Sequence, residues 1–528
     1  MLGKQGDNEG GSEIQKALGE IEEVVGSDYV TDKDFMKAAY SRNVDPAFPD
    51  RWADIIVRPG TTEEVSAIVK IANKYKIVMV PRGGGADLVG GSVTQGGILL
   101  DLTRMNHILE INPDDFYCVV ECGITWGALV SELHLKGLTT GLLGPGSGYS
   151  ATIGGGLSNS TAGYGSTKYG LAPDICLGVE VVLPDPEGTV LRTGVAANKY
   201  AKPFARYGVA PDFTGLFMGD VGTMGIKTKA FLKLAPLPPF KAGRYYMLAK
   251  NDYGKVFELL KELRYKVGEG LSDVIVVPHP VINLQAGMAK HKPEKKPRLT
   301  GSVFMIAFEA FDQRVLDIYI QQVDEIMLRD GVCRSFELHE IDLDEPLTKD
   351  WQFNLEFAYH YFNRFISVVP GTISCTTCHK IPISYIKDGE RMSHAFDAKF
   401  RAEFPDKSLS LFATVIYLLP NGNAVFVGGF SGYNTEDQQP IAMQMWHKKV
   451  RAQVRYGGAH YWLGESISQA IVEAGAFTPD FATFFKNMKK VVDPNCLLSP
   501  NKFHVHNYDE DMSRYEEEDE PYSQEPGT

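Results

Sequence analysis

Three glycine-rich stretches carry the clearest chemical signal in this sequence. The first, Pro81-Arg82-Gly83-Gly84-Gly85-Ala86-Asp87-Leu88-Val89-Gly90-Gly91-Ser92, follows directly on an apolar run at 77–80. Glycines placed just after a strand let successive main-chain N–H groups converge on an anion and nest phosphate oxygens. The second runs from Gly144 through Gly146 and Ser147 to Thr152, Gly155 and Gly156, with Gly163, Gly165 and Gly170 behind it. The third is Gly219-Asp220-Val221-Gly222-Thr223-Met224-Gly225-Ile226. Strand-like runs at 179–183 and 229–234 separate the loops. Three loops so placed suit a ligand as long as a dinucleotide. A G-x-G-x-x-G turn would open a helix, whereas the first loop here passes through Gly90-Gly91 toward another strand. No Walker motif is present. Taken alone, the first loop also reads as a glycine-rich hairpin without a ligand.

A second motif is Cys375-Thr376-Thr377-Cys378-His379. Its C-x-x-C-H spacing is that of covalent haem c, with two thioether links and His379 as axial ligand. A redox dithiol, another metal site and ordinary reduced thiols are the competing readings. Attachment of haem c needs an oxidising compartment, and the first residues (MLGKQGDNEGGSEIQ) lack the apolar core of a signal peptide. Cys118, Cys122 and Cys176 fall in or beside strand-like runs and read as small core residues.

The elements that must position these residues show in the periodicity. Residues 1–28 are polar and partly helical, with Leu18, Ile21 and Val25 near helical spacing. A strand is predicted over 54–57. Thr61 with Glu64 then marks a capping box before the stripe Val65, Ile68, Val69, Ala72. Strands over 77–80 and 98–102 and a helix over 125–135 follow. From about residue 242 the pattern alternates: strand 244–249, helix 255–263, strands 273–277 and 303–308, then an amphipathic helix through Val315, Ile318, Tyr319 and Val323. That suits an α+β domain with helices on one face of an antiparallel sheet. Residues 288–298 read as a charged surface loop, and no internal repeat is found.

Length and composition exclude several classes. The chain has 528 residues, 44% hydrophobic and 23% charged, so two or more globular domains are expected. A formal charge of −13 argues against nucleic acid and against electrostatic docking on anionic lipid. No apolar run is long enough to span a bilayer. Seven cysteines make no disulfide framework, so a cytoplasmic location is expected, with peripheral membrane association through a partner as the alternative.

The run from about residue 52 to 238 resembles the FAD-binding domain of the family that includes vanillyl-alcohol oxidase, D-lactate dehydrogenase and the glycolate oxidase flavoprotein subunit. The stretches that carry the resemblance are DIIVRPGTTEEV, PRGGGADLVGG, GILLDLTRMN, GSGYSATIGGG, KYGLAPDICLGVEVVLPD and GLFMGDVGTMGI. The resemblance implies an α+β fold: a two-subdomain domain of the p-cresol methylhydroxylase (PCMH) type that binds FAD, plus an α+β substrate (cap) domain with an antiparallel sheet. It implies that Pro81, Arg82, Gly83, Gly84, Gly85, Ala86, Asp87 and Leu88 cradle the FAD pyrophosphate. Gly146, Ser147, Thr152, Gly155 and Gly156 would lie along the cofactor, and Gly222, Gly225 and Ile226 would meet its nucleotide part. The segments from Trp462 to Ser468 and from Val492 to Asn495 resemble the end of alkyl-dihydroxyacetone-phosphate synthase and of D-lactate dehydrogenase-like proteins. In the closing turn Asn501-Lys502, Lys502 would approach the isoalloxazine carbonyls; a solvated surface lysine is the alternative.

The domain boundaries expected are an N-terminal helical extension over 1–50, the FAD-binding domain over 51–238, the substrate domain over 239–455, a return segment over 456–507 and an acidic tail over 508–528. A flavin carries hydride chemistry itself, while the protein supplies orientation and a proton acceptor. Related hydroxy-acid dehydrogenases carry a histidine where this chain has Ser466, so His460 is the candidate base, or else a structural histidine. Glu465 would orient a base or cap a helix, and Arg364, beyond the aromatic cluster 359–362, would hold a substrate anion. The HxxDGNxH-like metal element is missing, as is the triple histidine of the alkyl-dihydroxyacetone-phosphate synthases. The loops also lack the histidine and cysteine that would bind flavin covalently, so non-covalent FAD is expected. The leading reading is an FAD-dependent dehydrogenase of a D-2-hydroxy acid such as lactate or glycolate. Oxidation of a phenolic or benzylic substrate is the first alternative, and a non-catalytic FAD-binding electron-transfer subunit the second. A quinone, an electron-transfer flavoprotein or a cytochrome would take the electrons, and the oligomeric state is left open.

Overall fold

A computed structural model of the chain describes residues 7–41, 51–250, 252–278, 301–335, 372–388, 410–433 and 437–503, with single positions 391, 398, 402 and 435. Arg364, the aromatic cluster 359–362, the loop 288–298 and the acidic tail lie outside the described residues.

The chain opens with α1 (Asp7–Val25), β1 (Val30–Thr31) and α2 (Asp34–Tyr40), then β2 (Ile55–Val57), α3 (Thr62–Tyr75), β3 (Met79–Arg82) and β4 (Ile98–Asp101). The four strands form one sheet in the order β1-β2-β4-β3, with β2 and β3 both parallel to β4. Parallel pairing needs a crossover, and α3 supplies it. The Thr61 hydroxyl accepts the N–H of Glu64 at 3.1 Å, as the capping signature predicts. The Glu64 carboxylate, however, accepts from Gly60 rather than from Thr61, at 2.7 Å. Val65, Ile68, Val69 and Ala72 are fully buried against Ile55, Val57, Ile98 and Leu100, and α1 lays Ala17, Ile21 and Val25 on the same core.

The second sheet follows: β5 (Ile108–Asn112), β6 (Tyr117–Glu121), α4 (Trp126–Leu135), β7 (Leu138–Thr139), α5 (Ile153–Ser158), α6 (Ser166–Tyr169), β8 (Cys176–Val182), β9 (Val190–Arg192), β10 (Ile226–Lys233) and β11 (Ala235–Pro236). Its antiparallel order is β5-β6-β10-β8-β9, with β7 and β11 paired apart. Cys118, Cys122 and Cys176 are buried in its core, where burial pushes their thiols up and keeps them uncharged.

A third, eight-stranded antiparallel sheet comes from β12 (Phe240–Leu248), α7 (Tyr253–Lys266), β13 (Leu271–Val277), β14 (Val303–Ala310), α8 (Gln313–Met327), β15 (Cys333–Ser335), β16 (Thr372–Pro382), β17 (Ser410–Leu418), β18 (Asn423–Tyr433), α9 (Gln438–Arg455) and β19 (Ala459–His460). The order is β15-β12-β14-β13-β17-β18-β16-β19. Leu259, Leu260 and Leu263 of α7 and Leu316 and Val323 of α8 cover Val274, Val276, Ile306 and Phe308 on one face. Asp273 and Glu309, on the opposite face, point at α6. Helices α7 and α8 are thus on one side of this sheet and α6 on the other.

Beyond α10 (Glu465–Glu473) and α11 (Pro479–Val492) the chain returns to the first sheet. Leu498 bridges Met79 of β3, and Ser499 N–H donates to the Met79 carbonyl at 2.8 Å. A buried cation fixes this return. Lys489 donates to Asp493 at 2.6 Å, to the Thr223 carbonyl at 2.6 Å and to the Leu498 carbonyl at 2.9 Å. Asp493 also accepts the N–H groups of Leu497 and Leu498. Asn495 reaches Asn73 of α3 at 2.7 Å. Removing one partner of a buried pair strands the other charge, which costs about 3–5 kcal/mol. Lys489→Met should therefore lower the unfolding free energy by that amount in a urea titration. A loss below roughly 1 kcal/mol would show that the clamp is not needed.

Candidate functional site

The first glycine loop meets other parts of the chain backbone to backbone. A Cβ on Gly84 would lie 1.6 Å from the Ser150 carbonyl oxygen, and one on Gly464 would lie 1.4 Å from that of Val89. Both are far inside contact distance, so only glycine admits these approaches. Gly83 similarly abuts Thr152, and Gly222 abuts Pro81. Residues 83–89 are therefore packed against the second loop, the third loop and the turn before α10.

The main chain inside this convergence is left unused. The N–H groups of Gly83, Gly84, Gly85 and Ala86 meet no acceptor among the described residues. Buried amides need partners, and a run of them is an anion nest. Asp87 does not face the nest: its carboxylate turns back to accept from Val89, Gly91 and Ser92 and so shapes the loop. Arg82 likewise donates to the Ser92 carbonyl at 3.0 Å and lies over the Tyr40 ring. Leu88 and Val89 insert among Met445, Trp446 and Ile467 of α9 and α10.

The other two loops are braced. Thr152 caps α5 by accepting from Gly155, and the Ser147 carbonyl accepts from Ser150 and Ala151, just after Gly146. Gly156 rests on Trp126, whose buried indole N–H has no partner among the described residues. Lys227 joins Asp220 at 2.6 Å to Ser158 at 2.9 Å, which ties the third loop to α5. Gly225 packs on Phe217, and Ile226 opens β10 opposite Val182. An unsatisfied amide run and an unsatisfied indole donor beside the glycine loops fit a diphosphate-bearing cofactor such as FAD.

Strand alternation sorts the remaining candidates. In β16, Cys375, Thr377 and His379 point to the helix-covered face: Cys375 contacts the Ala442 carbonyl, Thr377 bonds Gln453 of α9, and His379 packs on Phe426. His379 pairs with His460 of β19, and their rings lie 5.2 Å apart on that same face. Burial holds both imidazoles neutral, pushing His379 down to about 3 and His460 well below its usual range. His460 therefore shares the face of Cys375 and α9 and does not pack against residues 162–171. Cys378 is on the other face, with Ala162, Leu171, Val425 and Tyr461. The two thiols of the C-x-x-C-H motif are on opposite sides of a strand, separated by about 10 Å of rise. One haem cannot bridge them, so the haem c reading of Cys375, Cys378 and His379 does not fit. Among the described residues no three His, Cys, Asp or Glu side chains gather as a metal site.

The face toward the glycine loops carries a residue that composition alone did not single out. Tyr461 is buried, its phenol interacts with Cys378 and with Trp462, and burial raises its pKa well above the usual range. Lys380, two residues past Cys378, shares that face and is lowered by burial. The sheet is fastened to α6 there. Asp273 accepts the Gly165 N–H, Thr167 bonds the Leu418 carbonyl and the Val274 N–H, and Glu309 takes Tyr169 and Lys168. Glu465 opens α10 and pairs with Arg51 at 2.9 Å.

Lys502 lies inside the convergence rather than on the surface, donating to the Gly91 carbonyl at 2.5 Å. Burial, the largest effect, lowers its pKa to about 8, opposed by the charges of Asp87, Glu465 and Asp220. A lysine lowered in the folded state costs stability below that value, and the cost fades as pH rises from 8 toward the unfolded value of about 10.4. In cofactor-free protein, the wild type should gain on the order of 3 kcal/mol relative to Lys502→Met across that interval. A pH-independent difference in unfolding free energy would contradict this burial.

Comparison with known proteins agrees with this geometry. A family model described as FAD binding domain matches residues 53–194. The chain is 35% identical over 220 residues to the glycolate oxidase subunit GlcD of Bacillus subtilis, covering 42% of this chain and 44% of that protein. It is 33% identical over 227 residues to a probable mitochondrial D-lactate dehydrogenase of Danio rerio, covering 43% and 44%. The chain thus spans less than half the length of these curated relatives. Among solved structures, p-cresol methylhydroxylase with substrate bound superposes with a TM-score of 0.74 at 19% identity, over 93% of this chain and 97% of that one. At that identity the likeness concerns the fold. The chain therefore has the PCMH-type α+β fold, with an FAD-binding domain over residues 53–194.

Proposed function

We propose that this protein is an FAD-dependent oxidoreductase that takes a hydride from a small hydroxylated substrate, with D-2-hydroxy acids of the lactate and glycolate type first. The observation that carries the cofactor half of the reading is the run of four amides at 83–86 that meet no acceptor among the described residues, in the first glycine loop. The substrate half draws support from the glycolate oxidase subunit and D-lactate dehydrogenase relatives.

Bound FAD would supply the hydride-accepting centre. The chain's own part lies on the sheet face shared by Cys378, Lys380, Tyr461 and Trp462. Kept neutral by burial, the Tyr461 phenol is a hydrogen-bond donor, suited to holding a substrate oxygen and stabilising charge that develops on it. Lys380, whose burial eases loss of its proton, is the titratable group placed to take the hydroxyl proton. The aromatic groups Tyr417, Tyr461 and Trp462 pack on this face and would help exclude water from a substrate bound beside it. Its aromatic character also favours a second reading, oxidation of a phenolic or benzylic substrate, in which Tyr461 would stabilise the phenolate. The electrons then leave to a separate quinone, electron-transfer flavoprotein or cytochrome. No helix among the described residues is long and apolar enough to cross a membrane.

Two measurements test the reading. Anaerobic addition of D-lactate or glycolate should bleach the flavin, while 4-alkylphenols should leave it oxidised; the reverse pattern selects the phenolic reaction, and no bleaching by either sinks both. Tyr461→Phe should slow flavin reduction about 10²–10³-fold with the flavin still bound. His460→Gln should change that rate by less than roughly threefold, and a larger effect would return the catalytic role to the histidine.

A further inference from the structure

One face of the FAD-binding domain is apolar and open. A groove of about 400 Å³ runs between residues 191–217 and the last turns of α11, walled by Leu191, Val209, Pro211, Phe213, Met488 and Val491. The apolar stripe continues along α11 through Phe484 and Phe481. Positions 481, 484, 488 and 491 follow the spacing that aligns side chains along one side of a helix. Val491 is 73% exposed, Phe484 61% and Phe213 51%. Contiguous apolar surface of this kind marks a contact site.

Position and charge identify the occupant. Phe503 packs its ring 5.5 Å from that of Phe485, so the chain after it starts on the flank of the same helix. Only about 9 Å of helix separates Phe485 from Val491, while 25 further residues reach up to about 80 Å. Residues 190–217 hold Arg192, Lys199, Lys202 and Arg206 against the single acid Asp212, and Lys490 adds an exposed cation on α11. Arg192 and Lys202 keep much of their side chains in solvent even when paired with Glu180 and Glu110. Residues 504–528 hold nine acids against Arg514, with Tyr508, Tyr515 and Tyr522 spaced seven apart. An acidic segment with so few apolar residues cannot build a core of its own, yet it can add its anchors to one already formed.

We propose that residues 504–528 dock in this groove of their own chain, with tyrosines on the apolar floor and carboxylates along the basic rim. The docked segment shields the face from lipid, from a second copy and from other partners. It also cancels, locally, the basic charge along this groove.

The test uses the full-length holoprotein with the photoreactive residue p-benzoylphenylalanine at Val491. Illumination should yield a crosslink within one chain to a peptide from 504–528, and 1 M salt should lower its yield by roughly threefold or more, since screening acts on exposed charge pairs. A crosslink only between two chains, only to added anionic vesicles, or to no part of 504–528 overturns the proposal. As a second reading, replacing Tyr508, Tyr515 and Tyr522 together by Ser in the full chain should raise binding of an apolar dye roughly twofold. Adding Val491→Asp should abolish that rise, and dye binding unchanged by the tyrosine replacements counts against the groove as the docking place.

Discussion

Contact between main chains at residues 83–91 is the constraint on which the rest of this structure hangs. At Gly84 and Gly464 the neighbouring carbonyl occupies the place where any side chain would begin. Such approaches bury peptide groups, and burial is tolerable only where those groups are paired or will be paired by a ligand. The loop is consequently held from distant points in sequence. Ser150 and Thr152 wall one side, Gly464 and Lys502 close the other, and Lys489 with Asp493 fixes the return strand on β3 just ahead of the loop. Apart from the Lys489–Asp493 pair, none of these contacts is local. The four amides without an acceptor among the described residues are therefore presented by contacts from across the fold, not by a local hairpin alone.

The large sheet imposes the second constraint, because a strand has only two faces. Helices α7, α8 and α9 claim one, and the FAD-binding domain claims the other. Every residue of β16 and of the strand after α9 is thereby assigned a side by its parity. His379 and His460 are assigned to the helices; Cys378 and Tyr461 are assigned to the side that meets Ala162 and Leu171. Burial then acts on each group according to its chemistry, stripping the proton from the imidazoles and keeping it on the phenol. The result is a neutral donor facing the cofactor domain and two neutral rings packed behind it.

Local signals in the sequence were read well where local physics decides. The start of α3 at Thr61 and the stripe on that helix follow from capping and from a one-sided core, whereas on α8 the buried side is Leu316, Val323, Ile326 and Met327, and the expected Val315 and Ile318 are exposed. The glycine loops were legible because few other roles demand so many glycines after strands. What was not legible depended on pairing. β19 is two residues long, and nothing in Ala459-His460-Tyr461 tells which neighbour faces inward until its register with His379 and Lys380 is known. Residue type suggested histidine as the base, while register puts the neighbouring tyrosine, a hydrogen-bond donor, on the face that meets residues 162–171. Among the readings that the C-x-x-C-H motif left open, haem c fails for the same reason: in an extended strand the two sulfurs part. Lys502 could be read either way from sequence, since its burial comes from loops more than 400 positions away.

The bonds between the large sheet and α6 explain why that register holds. Thr167 accepts the Val274 N–H and donates to the Leu418 carbonyl, so it spans the β13–β17 pair at one rung. Arg264 of α7 adds bonds to the carbonyls of Thr167 and Leu419 at 2.8 and 2.7 Å. Asp273, raised well above the carboxylate range by burial, takes the Gly165 N–H as a neutral group and adds no charge to the interface. Apolar contacts tolerate sliding; these directional bonds do not. A slip of one residue in a strand would reverse its faces, breaking the Thr167 rung and turning Asp273 toward the leucines of α7. The bonds that join the two domains therefore also lock the sheet's parity, and parity is what puts Tyr461 rather than His460 on the face that meets residues 162–171.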